Sequence, residues 1–312
     1  LRKEAVPALG CTEPVACALA CAKCKEVLGG VPEHLDVLVS GNIYKNGMGV
    51  GIPGTGMVGL PIAASLGAIC GKSEYGLEVL KEVNEGDNLQ RAKDLLSHVT
   101  VSLKTDAPDK LYAEALATRG NDKVKVIIAH THTNIILVEK NGQELFRKEF
   151  QLDTSKKEDK GPELSVKRIW DFVHEVDVKD IEFVLQGAEM NKAISAEGLQ
   201  TEYGLQIGKT LKENIDKGLL EDDLLNRTLI RATAASDARM DGCPKPVMTN
   251  SGSGNQGITV YLPVVVAAET FGASREQLAR ALALSNLIAV HIHHYMGHLS
   301  ALCGILIAGT GA

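Results

Sequence analysis

A cysteine follows a histidine-rich segment near the end of the chain. Residues 291–298 read His-Ile-His-His-Tyr-Met-Gly-His, and Cys303 follows in an apolar stretch. Thiolate and imidazole are ligands that soft and borderline metal ions prefer. A self-contained zinc site is disfavoured, because His291, His294 and His298 are spread over two helical turns and no nearby carboxylate orients them. We therefore expect Cys303 to be one ligand of a metal site that distant residues complete.

A second cysteine precedes a predicted helix. Cys11 comes directly before Thr12, which is predicted to cap the helix, and Pro14 lies in the first turn. A helix N-terminus favours anions and lowers the pKa of a thiol, although Glu13 partly opposes this effect. Cys11 is therefore a candidate reactive thiol or base, with a small buried apolar side chain as the alternative.

Other cysteines and histidines form pairs and groups by spacing. Cys17, Cys21 and Cys24 share one face of the same predicted helix, and the surrounding alanines favour core packing over metal binding. His130 and His132 alternate along a predicted strand and so face the same side. That arrangement suits joint contact with a ligand, or two half-buried structural imidazoles.

A glycine-rich loop spans residues 41–56. Its backbone N–H groups are suited to an anion such as a carboxylate, while Lys45 adds a cation and Asn42 and Asn46 add amides. Residues 54–59 match the dinucleotide pattern G-x-G-x-x-G, but prolines flank the pattern and a helix is predicted where a second parallel strand belongs. A structural glycine turn and a substrate-binding loop remain the two interpretations.

A second polar loop, residues 249–257, leads into an apolar segment. Polar side chains and glycines before a helix suit the carboxylate of an amino acid, because unpaired N–H groups and the helix dipole favour an anion there. An ordinary surface loop is the alternative. The candidate substrate-binding residues in this loop are Asn250, Ser251, Ser253, Asn255 and Gln256, and from outside both loops we add His132.

Composition limits the classes of function. The chain has 312 residues, 45% of them hydrophobic, and a formal net charge of −6. Without a basic block it is not expected to bind nucleic acid, and no apolar stretch approaches the roughly 20 residues of a membrane span. Seven irregularly spaced cysteines are typical of reduced thiols in a cytoplasmic protein. We expect a small-molecule substrate, and further sequence beyond both ends of the chain.

The predicted fold class is α+β. A mixed N-terminal domain, residues 1–155, would contain the glycine-rich loop and an antiparallel hairpin at Asn141-Gly142. A mainly helical domain, residues 156–312, follows a charged linker at 154–162. Further predicted elements are helices from 12 to about 28 and from 75 to 85, and strands at 35–40, 99–104 and 124–138.

The chain resembles the iron–sulfur L-cysteine desulfidases, which are similar to the catalytic chain of iron–sulfur L-serine dehydratases. The resemblance depends on four blocks in the family's order across nearly the whole chain. These blocks are Pro-Ala-Leu-Gly-Cys-Thr-Glu-Pro at 7–14, Asn-Ile-Tyr-Lys-Asn-Gly at 42–47 with Gly-Ile-Pro-Gly-Thr-Gly at 51–56, Asn-Ser-Gly-Ser-Gly-Asn-Gln-Gly at 250–257, and Leu-Ser-Ala-Leu-Cys-Gly at 299–304.

The resemblance implies a [4Fe–4S] cluster held by three cysteines, with one iron open to substrate. Cys303 matches the first cysteine, and the other two belong to a C-terminal segment that this sequence does not include. The implied reaction is elimination without pyridoxal phosphate, which converts L-cysteine to pyruvate, ammonia and hydrogen sulfide. The cluster would act as a Lewis acid on the leaving sulfur, and the thiolate of Cys11 would be the base.

Two other functions remain open. The same chemistry permits dehydration of L-serine, because iron also activates a hydroxyl leaving group. A homologue without its cluster would instead bind amino acids without catalysis. The oligomeric state is also open, and a homo-oligomer is one option.

Overall fold

The computed structural model describes residues 1–149, 164–296 and 304–312. Three features expected from the sequence therefore lie outside the described residues, namely the linker at 154–162, His298 and the candidate ligand Cys303.

The chain divides into two compact units. One, called here the sheet unit, is Leu9–Lys157, and the other, the helical unit, is Leu1–Ala8 with Glu158–Ala312. The first eight residues join the helical unit because Pro7 and Ala8 pair antiparallel with Met248 and Val247. Local sequence patterns do not reveal such a pairing, since its partners are far apart along the chain.

Strands and helices have the following bounds. The strands are β1 (Pro7–Ala8), β2 (His34–Val39), β3 (Gly51–Ile52), β4 (Met57–Val58), β5 (Val99–Leu103), β6 (Tyr112–Arg119), β7 (Asp122–Ala129), β8 (Ile135–Lys140), β9 (Gln143–Arg147) and β10 (Val247–Met248). The α-helices are α1 (Thr12–Leu28), α2 (Gly41–Gly47), α3 (Leu60–Ile69), α4 (Asn88–Leu95), α5 (Val166–Glu175), α6 (Val178–Ile181), α7 (Val184–Gln200), α8 (Ile207–Asp216), α9 (Leu224–Met240), α10 (Gly254–Phe271), α11 (Arg275–Met296) and α12 (Gly304–Gly311). The 3₁₀ segments are Ser73–Glu78 and Leu96–His98.

The sheet unit is built on a mixed sheet with strand order β5-β2-β6-β7-β8-β9. β2 and β5 run parallel, while the other neighbouring pairs are antiparallel. α1 packs against this sheet, where the Cys24 sulfur lies 3.6 Å from the carbonyl oxygen of Ala115 and 3.7 Å from that of Val124. With a sheet here and helices in the other unit, the predicted α+β class is confirmed.

Small residues allow α1 to pack closely on both sides. Cys17, Cys21 and Cys24 are completely buried, which confirms their interpretation as core residues. A Cβ atom at Gly67 of α3 would overlap the carbonyl oxygen of Ala18, so only glycine permits this helix contact. The helix ends as predicted, since Gly29 adopts the left-handed conformation at its C-terminus with a φ of 72°.

The predicted hairpin at Asn141-Gly142 is confirmed. β8 and β9 pair antiparallel with Lys140 opposite Gln143, so two residues form the turn. Asn141 and Gly142 have φ angles of 53° and 81°, the positive values that a type I′ turn requires.

The predicted strand at 124–138 is wrong in its middle. β7 ends at Ala129 and β8 begins at Ile135. His130 has a φ of 71°, its N–H donates to the Asp109 carboxylate at 3.0 Å, and Asn134 donates to the Ala129 carbonyl oxygen at 2.9 Å. These bonds fold residues 130–134 into a turn, so His130 and His132 do not lie side by side on a strand.

Two further predictions need correction. The loop expected at 41–56 contains helix α2 and strand β3, which pairs with β4 just after residue 56. The helix expected at 75–85 is instead a 3₁₀ segment, Ser73–Glu78, followed by turns. Gly76 interrupts it with a φ of 53°, which a continuous α-helix does not allow.

Helix α10 runs through the core of the helical unit. Tyr261 is fully buried, and a Cβ atom at Gly187 of α7 would lie 2.6 Å from its ring. α10 also packs against α9, α11 and α12. Among the helices that the structure describes, none is both long enough and apolar enough to span a membrane.

Candidate active site

Cys11 is the N-cap residue of α1. It has extended backbone angles, and its carbonyl oxygen accepts the first helical hydrogen bond, from the N–H of Val15 at 3.2 Å. The predicted cap, Thr12, is therefore wrong by one residue and is the first residue of the helix. The Cys11 side chain is 8% exposed. The expectation that this thiol lies at a helix N-terminus is confirmed.

The thiol of Cys11 contacts a carboxylate. Its sulfur donates to Oε2 of Glu13 at 2.9 Å, and the Thr12 hydroxyl donates to the same oxygen at 3.3 Å. The side-chain amide of Asn46 donates to Oε1 of Glu13 at 3.2 Å. Helix α2 thus carries one predicted substrate-binding residue directly to the start of α1, and Glu13 joins the two.

Several donors keep Glu13 ionised. Burial acts to raise its pKa, but the charge of His132 and hydrogen bonds from Cys11, the Glu13 backbone N–H and Asn46 outweigh burial and hold the pKa below its usual value. His132 is half-buried, and its electrostatic effect on Glu13 links it to this group. His130 has a different partner, because its Nδ1 lies 2.7 Å from the Asp109 carboxylate.

The glycine-rich hairpin packs on the loop before Cys11. Gly10 has a φ of 77°, and a Cβ atom there would lie 2.7 Å from Cγ of Pro53. β3 and β4 pair antiparallel on either side of the turn, and the Thr55 hydroxyl closes that turn by donating to the Ile52 carbonyl oxygen at 2.7 Å. A tight antiparallel hairpin is not the strand-to-helix crossover of a dinucleotide site. Gly10 of the block at 7–14 and Pro53 of the block at 51–56 therefore meet in the sheet unit.

The other two predicted residues of this loop have open surroundings. Lys45 is exposed on α2, and Asn42 is half-buried on the same helix. Both side chains are accessible from solvent, as is that of Asn46, but the amide of Asn46 is bonded to Glu13.

The second polar loop leads into helix α10, as predicted, and it also caps that helix. The Ser253 hydroxyl accepts a hydrogen bond from the N–H of Gln256 at 3.4 Å. Gly257 lies so close to β10 that a Cβ atom there would overlap the carbonyl oxygen of Met248. The loop therefore starts the helix and fixes it against the strand.

Asn250 holds this loop from within the core. Its side chain is completely buried, and its amide donates to the side-chain oxygen of Asn286 at 3.0 Å and to the carbonyl oxygen of Asn286 at 3.2 Å. Its own side-chain oxygen accepts from the Ser251 hydroxyl at 3.0 Å. Ser251 has a φ of 49°, which places it in the left-handed region. These bonds give Asn250 a clear structural role.

A buried arginine lies at the start of α10. Arg239 of α9 is 4% exposed, and a Cβ atom at Gly254 would overlap its guanidinium group. One guanidinium nitrogen donates to the side-chain oxygen of Asn255 at 3.1 Å. A cation and a helix N-terminus are thus adjacent here, and both favour an anion.

Gln256 brings the polar loop next to α12. Its side chain is 9% exposed, and its oxygen is buried with no hydrogen-bond partner among residues 1–149, 164–296 and 304–312. A Cβ atom at Gly304 would lie 2.6 Å from the Gln256 amide nitrogen. Gly304 directly follows Cys303, and consecutive Cα atoms are about 3.8 Å apart.

The prediction that Cys303 binds a metal ion lies outside the described residues. The described part of the chain contains no cluster of three or more histidine, cysteine, aspartate or glutamate side chains that would hold a metal ion. Burial raises the pKa of Cys17 to about 12, which keeps this core cysteine as a thiol. His291 and His294 instead contact the ring of Tyr295, at 5.2 Å and 5.7 Å between ring centres.

Comparisons with known sequences identify the class of protein. The sequence model of the serine dehydratase alpha chain family matches residues 74–312, more than half of the chain. The protein belongs to this family. The matched region contains the polar loop at 249–257 but begins after Cys11.

Similar proteins match the whole chain. It is 49% identical to the UPF0597 protein of Actinobacillus pleuropneumoniae serotype 3, over 100% of this chain and 72% of that protein. It is 48% identical to the UPF0597 protein of Aeromonas hydrophila and 47% identical to that of Parabacteroides distasonis, with 72% and 73% of those proteins covered. The region of Cys11 is therefore shared with these relatives.

Sequence reasoning missed three residues of these groups. The sequence presents Glu13 as a charge that opposes the helix dipole, and its position two residues after Cys11 in the first turn is a usable signal of the contact. Arg239 and Asn286 come from helices α9 and α11, and nothing in their local sequence indicates that they contact the loop. Only the tertiary packing of the helical unit reveals them.

Proposed function

We propose that the protein is a lyase that converts L-cysteine to pyruvate, ammonia and hydrogen sulfide without pyridoxal phosphate. The observation that carries the proposal is the thiol of Cys11, hydrogen-bonded to the Glu13 carboxylate at the N-terminus of α1, in a member of the serine dehydratase alpha chain family. A titratable thiol with a fixed proton partner is suited to acid–base chemistry.

The environment of Gly304 fits a cofactor site beside the polar loop. The Gln256 side chain packs against Gly304, the residue that covalently follows Cys303, and its buried oxygen is a polar group available for hydrogen bonding. Cys303 would hold a [4Fe–4S] cluster, and further cysteine ligands would come from sequence beyond this chain. When bound, the cluster supplies a Lewis acid for the leaving sulfur.

The start of α10 is the proposed binding site for the substrate carboxylate. The helix N-terminus and the buried guanidinium of Arg239 both attract an anion, and Gln256 offers an amide. Asn250, Ser251, Ser253 and Asn255 hold this loop in shape through the bonds described above. A preformed loop lowers the cost of ordering on binding.

The polar residues of α2 are proposed substrate contacts in the sheet unit. Asn42, Lys45 and Asn46 lie on one short helix, and Asn46 is bonded to the carboxylate that contacts Cys11. His132 is included because its charge acts on that same carboxylate.

Cys11 is the proposed base. Its thiolate takes the Cα proton, the Cβ–S bond breaks, and the bonding electron pair leaves with sulfur. The resulting aminoacrylate tautomerises and is hydrolysed to pyruvate and ammonia, which consumes one water molecule. The sulfur product takes up protons and is released as hydrogen sulfide.

L-Serine is the second candidate substrate. The name of the matching family, serine dehydratase alpha chain, favours it. The same elimination would then release water in place of hydrogen sulfide.

An anaerobic assay of the intact protein distinguishes these functions. Pyruvate is measured with L-cysteine and with L-serine, together with iron, acid-labile sulfide and absorbance near 400 nm. A higher kcat/KM for L-cysteine supports the desulfidase, and a higher value for L-serine supports the dehydratase. Iron-free protein that binds amino acids but forms no pyruvate would refute both and indicate a non-catalytic homologue.

A further inference from the structure

The carboxylate of Glu13 contacts the thiol of Cys11 within one helical turn. Cys11 is buried and Glu13 is half-buried. The sulfur donates to Oε2 at 2.9 Å, and the Asn46 amide holds Oε1 at 3.2 Å. Both carboxylate oxygens are therefore occupied, so the Glu13 side chain is fixed at two points. One of those points is the sulfur proposed as the base.

Two effects act in opposite directions on the sulfur. The N-terminus of α1 carries about half a positive elementary charge and favours the thiolate. Glu13 carries a full negative charge in contact with the sulfur, and a hydrogen bond from the thiol to that carboxylate exists only while sulfur keeps its proton. The nearer and larger charge dominates, so the resting form is the thiol.

Other titratable groups act on the same carboxylate. His132 lowers the pKa of Glu13 and so helps to keep it charged. Cys17, in the following turns of α1, has a pKa raised to about 12 by burial and then by Glu13. The charge of Glu13 therefore opposes ionisation of this second thiol of the helix as well.

On the basis of the proposed function, we propose that Glu13 is a positioning residue that controls when Cys11 carries its proton. The carboxylate aims the thiol and keeps it protonated before turnover. The thiol must first lose its proton to water, and the thiolate that forms beside this negative charge binds a proton more strongly than a free thiolate does. Once formed, such a thiolate removes the weakly acidic Cα proton of the substrate faster than a weaker base would.

The same contact predicts a counterintuitive effect of substitution. Glu13→Gln keeps the size of the side chain and removes its charge. The Cys11 thiolate should then form at lower pH, while its strength as a base falls. The variant should have more thiolate at neutral pH, its kcat for L-cysteine should reach a plateau at lower pH, and that plateau should be lower than in the parent protein.

The test is a thiolate titration at 240 nm under anaerobic conditions. The intact protein is titrated with its cofactor present, and the curve of a matched Cys11→Ser variant is subtracted, which cancels the other thiols and any cluster absorbance. The same pair of curves is measured in the Glu13→Gln background. We expect the Cys11 midpoint to move to lower pH by about one unit or more.

Two further variants complete the design. Glu13→Asp keeps the charge but shortens the side chain, so its midpoint should lie between those of the parent and Glu13→Gln, and it serves if the latter fails to fold. Glu26→Gln removes the same charge from the other end of α1, where Glu26 bonds to Ser73 and not to Cys11. Its Cys11 midpoint should equal that of the parent protein.

An unchanged or higher midpoint in Glu13→Gln, or a shift of equal size in Glu26→Gln, overturns the proposal. The titration needs no turnover, so it separates this inference from the proposed function. A shifted midpoint in a protein that forms no pyruvate would leave the Glu13–Cys11 coupling intact and refute the lyase. Pyruvate formation with kcat and midpoint both unaffected by Glu13→Gln would refute the coupling alone.

Discussion

Substituting Asn250 by alanine tests whether the polar loop is held from within the core. Asn250 is completely buried and donates to the side-chain oxygen of Asn286 at 3.0 Å, and Asn286 is itself completely buried. The variant loses both bonds to Asn286 and the bond from Ser251, and it leaves the Asn286 side-chain oxygen without that donor. An orphaned buried acceptor costs about 1–3 kcal/mol and each lost bond about 1 kcal/mol, so we expect a destabilisation of about 3 kcal/mol.

The assay uses the only tryptophan in the sequence. Trp170 lies on α5 of the helical unit, and α5 packs against α11, which carries Asn286. Urea unfolding followed by Trp170 fluorescence therefore reports on the unit that contains the loop. Asn214→Ala is the matched control, since Asn214 is a partly exposed residue of helix α8, where alanine favours the helix.

The expected result is a lower urea midpoint for Asn250→Ala with the slope unchanged, and a change within about 0.5 kcal/mol for Asn214→Ala. An unfolding free energy within about 0.5 kcal/mol of the parent for Asn250→Ala would refute the reasoning. If that variant also lost activity, Asn250 would be a substrate contact and not a support of the loop.

Three further predictions follow from single contacts. Gly257→Ala should destabilise the protein by about 3 kcal/mol or more in urea unfolding, because the added methyl group would overlap the Met248 carbonyl oxygen. Gly309→Ala is the control and should be neutral or stabilising, because Gly309 lies in helix α12 and a Cβ atom there would have no other atom within 4 Å. The pKa of Glu13 is lower in the folded than in the unfolded protein, so ionised Glu13 stabilises the fold above its unfolded-state pKa, and this stabilisation is lost as the pH falls through the folded-state pKa. In Glu13→Gln the free energy of unfolding should therefore fall less steeply below about pH 4.5. An unchanged dependence of this free energy on acid pH would contradict the argument. Cys11→Ala should retain the iron content of the parent and lose pyruvate formation, and full activity in that variant would remove Cys11 from the mechanism.

Local sequence signals predicted the local elements well. Asn141-Gly142 forms the expected two-residue turn because both residues tolerate a positive φ, and few residue pairs do. Gly29 ends α1 for the same reason. Ser253 caps α10, because a hydroxyl before a helix satisfies an N–H group that the helix itself leaves open.

Predictions failed where distant residues decide the conformation. The strand expected through His130 breaks because Asp109, from another loop, binds its backbone N–H and its ring. The glycine-rich segment was expected to be a loop throughout, yet residues 41–47 form a helix that packs near α1. Hydrophobic periodicity contains no information on such partners.

The candidate site divides in the same way. Cys11 and the polar loop were found because they lie at helix starts, where residue type alone indicates an available N–H group or an altered thiol. The contact of Gln256 with Gly304 joins segments far apart in the chain. The role of Glu13 depends on the distance between its carboxylate and the Cys11 sulfur. Sequence spacing specifies neither distance.

The most direct measurement of the central claim is sulfide release from L-cysteine by the intact protein, before and after its iron is removed by chelation under anaerobic conditions. The proposed mechanism predicts that sulfide release is lost with the iron and returns when the cluster is rebuilt. Sulfide release at an undiminished rate from the iron-free protein would contradict it.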